Sequence, residues 1–374
     1  MLKIHRIQFF NFHSFIGCAE ISFAVDKKNE EAFKDFPSNA QDNVFISPIA
    51  VIGGEPQSRT NAIKCIIKLS EFISNAKHST TDGEALLKTH PMSNSKTGTA
   101  SIEFELNKKL YRYALEFDNT KICIESLHAK NNKFFSHVFA RKYEHSKSAT
   151  KIKINKFNVT EKQMLSMGSN LSAIAAAAQL GSKLAKELAS AFSCIAKNQS
   201  LNTLYTLPTD VLAAADLYNR EEPLRKQMVC FMRMTDPELL DIRIDKYPHG
   251  KPNDSKTTHM PHCVRKSPES SIAQKIDFMW QEDREIMAVF ALMSKVLLAL
   301  QNGEFIIIDG IDFASNKKII PSIAKLFIDK ETNPSGAQLL LATNSLDAIK
   351  YTPIGNMHIS ERVTAQPFHQ SNFV

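Results

Sequence analysis

The segment that decides the fold covers residues 44–73, VFISPIAVIGGEPQSRTNAIKCIIKLSEFI. Its first part, residues 44–52, is largely apolar and rich in β-branched side chains, which is typical of a buried strand. After Thr60, isoleucine and leucine side chains recur at helical spacing, so that one face of a helix is apolar. A segment rich in turn-forming residues, 53–60, lies between these two parts. The sequence therefore predicts a strand, a turn and a helix in that order.

The turn segment, GGEPQSRT, keeps the spacing of a phosphate-binding loop, G-x-x-x-x-G-K-[ST]. In such a loop, backbone N–H groups surround the phosphates, a Lys reaches the outer phosphates, and a Ser or Thr hydroxyl holds Mg²⁺. Gly53 and Thr60 occupy the first and last positions of this motif. Ser58 stands in place of the second Gly, and Arg59 in place of the Lys.

Each departure from the motif weakens a phosphate site for a physical reason. Ser58 carries a Cβ where glycine permits backbone conformations that other residues adopt only at a cost. Arg59 keeps the positive charge, but its planar guanidinium does not replace a compact ammonium. Glu55 adds a negative charge and Pro56 removes an N–H donor, and both changes oppose anion binding. Two interpretations stay open: a weakened nucleotide site, and an ordinary strand-to-helix turn.

Composition indicates the class of protein. With 374 residues, 43% of them hydrophobic and 23% charged, the chain has the material for a globular core. A net charge of +7 permits a nucleic-acid or acidic protein partner without requiring one. We find no apolar run of the roughly 18 residues that a membrane span needs, no signal peptide and no C-x-x-C pair. We therefore expect a cytoplasmic protein with reduced thiols and no membrane association.

The remaining segments suggest the domain organisation. Residues 1–75 and 280–374 contain apolar strands alternating with helices, which predicts a discontinuous core with a mostly parallel sheet covered on both faces. Residues 99–157 alternate with a period of two and predict an antiparallel β subdomain. Residues 160–279 predict a helical insertion. Within it, residues 245–268 are rich in Pro, His and Lys and are interpreted as a mobile loop, in which HMPHC fits no standard zinc spacing.

Two segments are candidate contact surfaces. Residues 171–196 are rich in Ala and are predicted to form one long helix. Residues 141–156 are basic, and from 151 to 156 Lys or Asn alternates with Ile. The favoured interpretation of this alternation is a charged edge strand that resists aggregation. The alternative is a contact with nucleic acid.

The elements of 44–73, followed late in the chain by a strand, Asp309, a helix and a strand, resemble the head of an ABC-type ATPase. The resemblance is strongest over residues 49–73 and 298–349, the latter LALQNGEFIIIDGIDFASNKKIIPSIAKLFIDKETNPSGAQLLLATNSLDAI. The chain is similar to the RloA/AbiL-like phage-defence ATPases of the AAA family and to the heads of overcoming-lysogenisation-defect (OLD) nucleases. It is more distantly similar to RecF and SMC heads. The resemblance implies an α/β P-loop NTPase-like fold with a mostly parallel core sheet, an antiparallel β subdomain and an inserted helical lobe.

The same resemblance implies which residues would bind ATP and Mg²⁺. The candidate nucleotide-binding residues are Gly53, Gly54, Ser58, Arg59, Thr60, Asn61 and Asp309. Thr60 and Asp309, at the Walker A and Walker B positions, would hold Mg²⁺ weakly. Gly310 stands where the family has the Glu that polarises the attacking water, and Asn344 where it has the switch His, so no catalytic residue is expected. The signature region aligns near 283–285, whose two carboxylates would repel a phosphate.

These departures predict a pseudo-ATPase that serves as a binding, scaffold or regulatory subunit, because loss of the base slows phosphoryl transfer by orders of magnitude. The resemblance implies a phage-defence-type system with a separate effector, since too few residues follow 344–347 for a nuclease domain. The expected partners are a second copy of the chain or an intact ATPase paralogue. One alternative is a weak or conditional ATPase completed by a partner and using Arg59, Thr60 and Asp309. Another is a DNA-binding structural protein of RecF or SMC type.

Overall fold

The computed structural model describes residues 1–75, 87–131, 133–144, 146, 149–166, 171–197, 208–249, 256–266, 273–309 and 317–360. Its strands are β1 (Leu2–Phe12), β2 (Phe15–Ser22), β3 (Ile49–Gly54), β4 (Gly98–Leu106), β5 (Lys109–Phe117), β6 (Ile122–Asn131), β7 (Phe134–Glu144), β8 (Ala149–Ile154), β9 (Leu239–His249), β10 (Lys256–Lys266), β11 (Ala273–Asp277), β12 (Phe305–Asp309), β13 (Gln338–Ala342) and β14 (Met357–Ser360). Its α-helices are α1 (Pro56–Ser74), α2 (Glu161–Leu165), α3 (Ala173–Gln179), α4 (Lys183–Lys197), α5 (Pro208–Arg220), α6 (Glu222–Thr235), α7 (Arg284–Asn302), α8 (Ile319–Ile328) and α9 (Leu346–Ile349).

These strands form three sheets of a mixed α/β fold. Seven strands form a sheet in the order β2-β1-β4-β5-β6-β7-β8, four in the order β12-β13-β3-β14, and three in the order β11-β10-β9. The four-stranded sheet is parallel throughout, whereas the seven-stranded sheet is antiparallel. The prediction of a mostly parallel core sheet is therefore correct only for the strands that carry the candidate site.

The N-terminal strands account for this difference. β1 pairs with β4 from Leu2↔Leu106 to Phe10↔Thr99, and on its other side it pairs with β2. The antiparallel sheet therefore includes residues 2–22 in addition to most of the predicted subdomain at 99–157. The sequence of an alternating strand such as β1 does not show which sheet the strand joins, because its apolar face can be buried in a parallel or an antiparallel sheet.

The parallel sheet is buried on both faces, as its apolar strands predicted. Along β12, Phe305 and Ile307 belong to one buried cluster, which also contains residues of α1, α3, α4 and the antiparallel sheet. Ile306 and Ile308 belong to a second cluster, formed with α5, α6, α7 and α8. Successive strand residues point to opposite faces, so a strand without polar residues needs a covering layer on each side.

The Ala-rich segment forms two helices instead of the predicted single one. α3 and α4 are separated by Gly181, whose φ of +97° lies in the region that favours glycine. The N–H of Ser182 donates to the carbonyl of Ala177 at 3.0 Å, and the N–H of Gly181 to that of Ala178 at 3.1 Å. These bonds satisfy the last carbonyls of α3, so the chain turns there and α4 packs against α3.

In the predicted mobile loop at 245–268, residues 245–249 and 256–266 lie on two strands, and the other residues lie outside the described ranges. β9 and β10 are antiparallel from Lys256↔His249 to Arg265↔Leu239, so the helical insertion continues into a three-stranded sheet. Pro248 lies on β9, which is an edge strand, where a residue without an N–H is tolerated. The loop prediction was wrong because the Pro and His content of the segment was taken to indicate a loop. The two halves of the segment pair with each other as strands.

One helix in the described ranges, α7, is long and apolar enough by composition to cross a membrane. Of its most apolar 18-residue window, 56% is buried inside the protein. α7 packs against α5 and α6 within the second cluster. Its apolar character is thus accounted for by its position in the core.

A buried ion pair joins the antiparallel sheet to α3. The carboxylate of Glu125, with no exposed surface, lies 2.6 Å from the guanidinium of Arg141. It also accepts hydrogen bonds from the hydroxyl of Tyr113 at 2.8 Å and from the N–H of Ala173, the first residue of α3, at 3.0 Å. Burying two charges is costly, and these additional hydrogen bonds offset part of the cost.

We expect Glu125→Ala to lower the free energy of unfolding by about 3–5 kcal/mol, because it leaves Arg141 buried without its counter-charge. Glu103→Ala is the matched control on the same sheet. It removes a salt bridge to Arg112, whose side chain is 53% exposed, and should cost at most about 1 kcal/mol. Urea unfolding of the two variants measures both values, and equal losses would contradict this role for Glu125.

Candidate functional site

Three chain segments meet at the carboxyl edge of the parallel sheet. β3 ends at Gly54, β12 ends at Asp309, and Asn344 follows the end of β13, which lies between these two strands. After β3 the chain enters α1 in the first buried cluster, whereas α8, which follows β12, lies in the second. Crevices where successive connections leave a parallel sheet on opposite faces are the usual ligand sites of open α/β sheets. This edge is therefore the candidate site.

The strand-to-helix turn is much shorter than the predicted loop over 53–60. β3 ends at Gly54 with a φ of +105°, Glu55 is the N-cap residue, and α1 already begins at Pro56. Proline favours this start because its fixed φ suits the first helical position. Arg59 and Thr60 consequently lie in the first turns of the helix, and the N–H of Arg59 donates to the carbonyl of Glu55 at 3.0 Å.

The side chain of Asn344 binds the backbone of Gly54 in both directions. The N–H of Gly54 donates to Oδ1 of Asn344 at 2.9 Å, and Nδ2 of Asn344 donates to the carbonyl of Gly54 at 3.1 Å. A carboxamide can bind the N–H and the C=O of one residue in this way because it carries both a donor and an acceptor. The N–H at the second position of the motif is therefore occupied by the protein itself.

The candidate Mg²⁺ ligands are in contact. The hydroxyl of Thr60 donates to Oδ2 of Asp309 at 2.7 Å, so the Walker A and Walker B positions meet as the resemblance implies. Asp309 is 7% exposed, and Mg²⁺ usually takes one or two protein oxygens and completes an octahedron with water and phosphate. These two residues fit that partial ligand set. No group of three or more His, Cys, Asp or Glu side chains is placed to hold a metal ion within the described ranges.

The other candidate residues do not form an open phosphate cradle. Ser58 and Arg59 are buried, with exposures of 7% and 4%, while Gly53 and Asn61 are half-buried. A phosphate-binding Lys must reach toward the ligand, whereas the Arg59 side chain lies within the protein. The donor set therefore does not fit a triphosphate in this conformation, although the Thr60 and Asp309 pair fits Mg²⁺.

Two further positions named from the sequence concern catalysis. Gly310, at the position of the Walker B Glu, lies outside the described residues. The signature region is at the start of α7, where Asp283 is the N-cap residue without a side-chain cap and Glu285 lies in the first turn. Carboxylates there interact favourably with the helix N-terminus, which gives them a structural role without a nucleotide.

The histidines of the HMPHC stretch lie on β10 and contact separate carboxylates. Nδ1 of His259 is 2.6 Å from Asp216, and Nδ1 of His262 is 3.1 Å from Asp245. Residues three apart on a strand point to opposite faces of the sheet. These two imidazoles are therefore not arranged to share one metal ion.

Sequence reasoning missed His358, which lies on β14 beside the candidate site. Its Nε2 accepts a hydrogen bond from the N–H of Ser22 at 3.0 Å, and a Cβ built on Gly53 would lie 3.9 Å from its carbonyl oxygen. Burial holds the pKa of His358 below its ordinary value, although contacts with Ser22 and Glu20 act in the opposite direction. The short strand 357–360 carries no motif that could have identified this residue.

The lowered pKa of His358 makes stability depend on pH. A group whose pKa is lower in the folded state binds more protons when unfolded, so its contribution is complete above the unfolded value of about 6.5 and decreases as the pH falls below it. We expect the melting temperature of the wild type to fall more steeply between about pH 7 and pH 5 than that of His358→Gln. Parallel profiles of the two proteins would contradict this role.

Comparison with known proteins finds a similarity among solved structures. No family model matches the chain, and no curated protein matches it. Among solved structures, an SMC head domain from Thermotoga maritima aligns over 96% of this chain and 94% of that chain, with 11% identity and a TM-score of 0.41. An identity and a TM-score this low leave the function to be argued from the site residues.

Proposed function

We propose that this protein is a catalytically inactive ATPase-like subunit, a pseudo-ATPase, that acts by binding other proteins as a scaffold or regulator. The observation that carries the proposal is the closed strand-to-helix turn, in which Asn344 binds both backbone groups of Gly54 and α1 starts at Pro56. The sheet edge keeps the arrangement of a ligand site, but the backbone N–H groups of Gly54 and Arg59 donate to other parts of the protein.

The hydrogen-bond donors of the turn support this proposal. The N–H of Gly54 is taken by Asn344, that of Arg59 by the carbonyl of Glu55, and Pro56 has none. A triphosphate that used the N–H of Gly54 would have to break its contact with Asn344, and an exchanged hydrogen bond returns only about 1 kcal/mol net. The exposed carboxylate of Glu55 would add repulsion at the same place.

The resemblance of the sequence extends the proposal to partners and setting. We propose that the protein acts in the cytoplasm as a homodimer, or as a heterodimer with an intact ATPase paralogue. A phage-defence-type system with a separate effector protein is the setting that the resemblance supports. Direct copurification of the tagged protein with its genomic neighbours would identify such partners.

One contact favours a second candidate, a conditional ATPase. The hydrogen bond between Thr60 and Asp309 preserves the two Mg²⁺ ligands in contact. A partner that inserted its own signature residues could in principle complete a site there and displace Asn344 from Gly54. This candidate requires Mg-ATP to bind at least weakly to the isolated chain or to the complex.

Calorimetry with Mg-ATP distinguishes the two candidates. We expect no saturable heat from the wild type at about 1 mM ATP, an affinity limit of roughly −4 kcal/mol, because the N–H of Gly54 is taken by Asn344 and Arg59 is buried. Arg59→Ala and Asp309→Ala should give the same baseline. Saturable binding by the wild type that both variants lose would overturn the pseudo-ATPase and favour the conditional enzyme. Circular dichroism of the variants confirms that each remains folded.

A further inference from the structure

β8 is the outermost strand of the antiparallel sheet. β8 pairs with β7 through six consecutive residues, from Phe139↔Ile154 to Glu144↔Ala149, without a register shift. The pairings of β1 with β2 and β4, and of β6 with β5 and β7, each contain such a shift. Within the described ranges no strand pairs with the other side of β8. Natural edge strands are usually shortened, bulged, charged or covered. β8 is shorter than β7, carries lysines and has α2 packed against it, but its six paired residues are regular.

The backbone groups that face outward from β8 follow from one hydrogen bond. The N–H of Asn155 donates to the carbonyl of Val138 at 2.9 Å, in the same register as the β7–β8 pairs. Because hydrogen-bonded pairs alternate in an antiparallel ladder, the N–H and C=O groups of Lys151 and Lys153 point toward β7. The outward groups belong to the alternate residues, Thr150, Ile152 and Ile154.

The solvent face of this edge has an excess of positive charge. Lys151 is 65% exposed and lies directly opposite Lys142, and Lys153 is also exposed on the same face. Like charges directly opposite each other destabilise a sheet. Glu144, 2.7 Å from Lys151, neutralises one of the three lysines. An acidic side chain from another molecule would neutralise the others.

We propose that the edge of β8 binds an extended acidic peptide segment of a partner protein by strand addition. The outward backbone groups supply the hydrogen bonds, and the three lysines select a strand that carries Asp or Glu at alternate positions. A second copy of β8 is disfavoured because it would place lysines against lysines. On the opposite face of β8, Ile152 is buried, so the residues between the acidic ones should be apolar. This inference is independent of the nucleotide site.

Nucleic acid is the other class of polyanion that lysines attract. Variants that change the backbone of β8 distinguish binding of nucleic acid from binding of an acidic peptide. Phosphates can bind through lysine side chains alone, whereas strand addition requires the outward backbone groups. Thr150→Pro removes one outward N–H and leaves every charge in place, while Thr150→Val keeps the N–H and serves as its matched control. The double variant Lys151→Glu/Lys153→Glu reverses the charge and keeps the backbone.

The experiment measures the fluorescence anisotropy of a labelled nine-residue peptide of alternating Glu and Val as protein is added at low salt. We expect Thr150→Pro and the charge-reversed variant each to weaken binding by about tenfold or more, and Thr150→Val to change it less than about twofold. A peptide with Lys in place of Glu should not bind. The Glu peptide with every backbone amide N-methylated should not bind either. The N-methylated peptide also tests the backbone contact if Thr150→Pro fails to fold.

Two outcomes would overturn the proposal. The first is the absence of binding by the wild type at millimolar peptide. The second is binding that is lost on charge reversal but retained by Thr150→Pro and by the N-methylated peptide, which would show that only side-chain charges act. In that case a labelled 20-base-pair duplex, tested across a salt series, would establish whether the lysines contact nucleic acid instead.

Discussion

The burial of the parallel sheet on both faces is the constraint on which the rest of the structure depends. Every residue of β12 and β13 is buried, and the side chains of β12 alternate between two apolar clusters. Such strands cannot exist in water without a layer on each side. The antiparallel sheet with α1, α3 and α4 provides one layer, and α5 to α8 provide the other.

The same constraint creates the candidate site. Parallel strands that connect to opposite layers must leave a crevice at their carboxyl edge. In this protein the polar groups of that crevice are satisfied internally, by Asn344 at Gly54 and by the contact between Thr60 and Asp309. Buried or half-buried polar groups need partners whether or not a ligand is present. These internal partners hold the carboxyl edge of the sheet together without a ligand.

Much of the core could be predicted from sequence because it rests on local patterns. The structure contains the two strands that the apolar runs at 49–52 and 305–308 predicted. It also brings Thr60 into contact with Asp309. Features that depend on long-range pairing could not be predicted in the same way. No local pattern specifies the partner in three such cases: the pairing of β1 with β4, the sheet of β9, β10 and β11, and the contact of Asn344 with Gly54. The spacing of the phosphate-loop motif predicted a loop that ends at Thr60, whereas helix α1 begins at Pro56.

Hydrogen exchange at the Gly54 amide, followed by NMR, tests the closed turn most directly. If Asn344 occupies this N–H, the amide exchanges slowly, its resonance and exchange rate do not change on addition of millimolar Mg-ATP, and Asn344→Ala accelerates its exchange. A saturable shift of the Gly54 resonance on addition of Mg-ATP, with exchange that is insensitive to Asn344→Ala, would contradict the closed turn. The candidate site would then be an open nucleotide pocket.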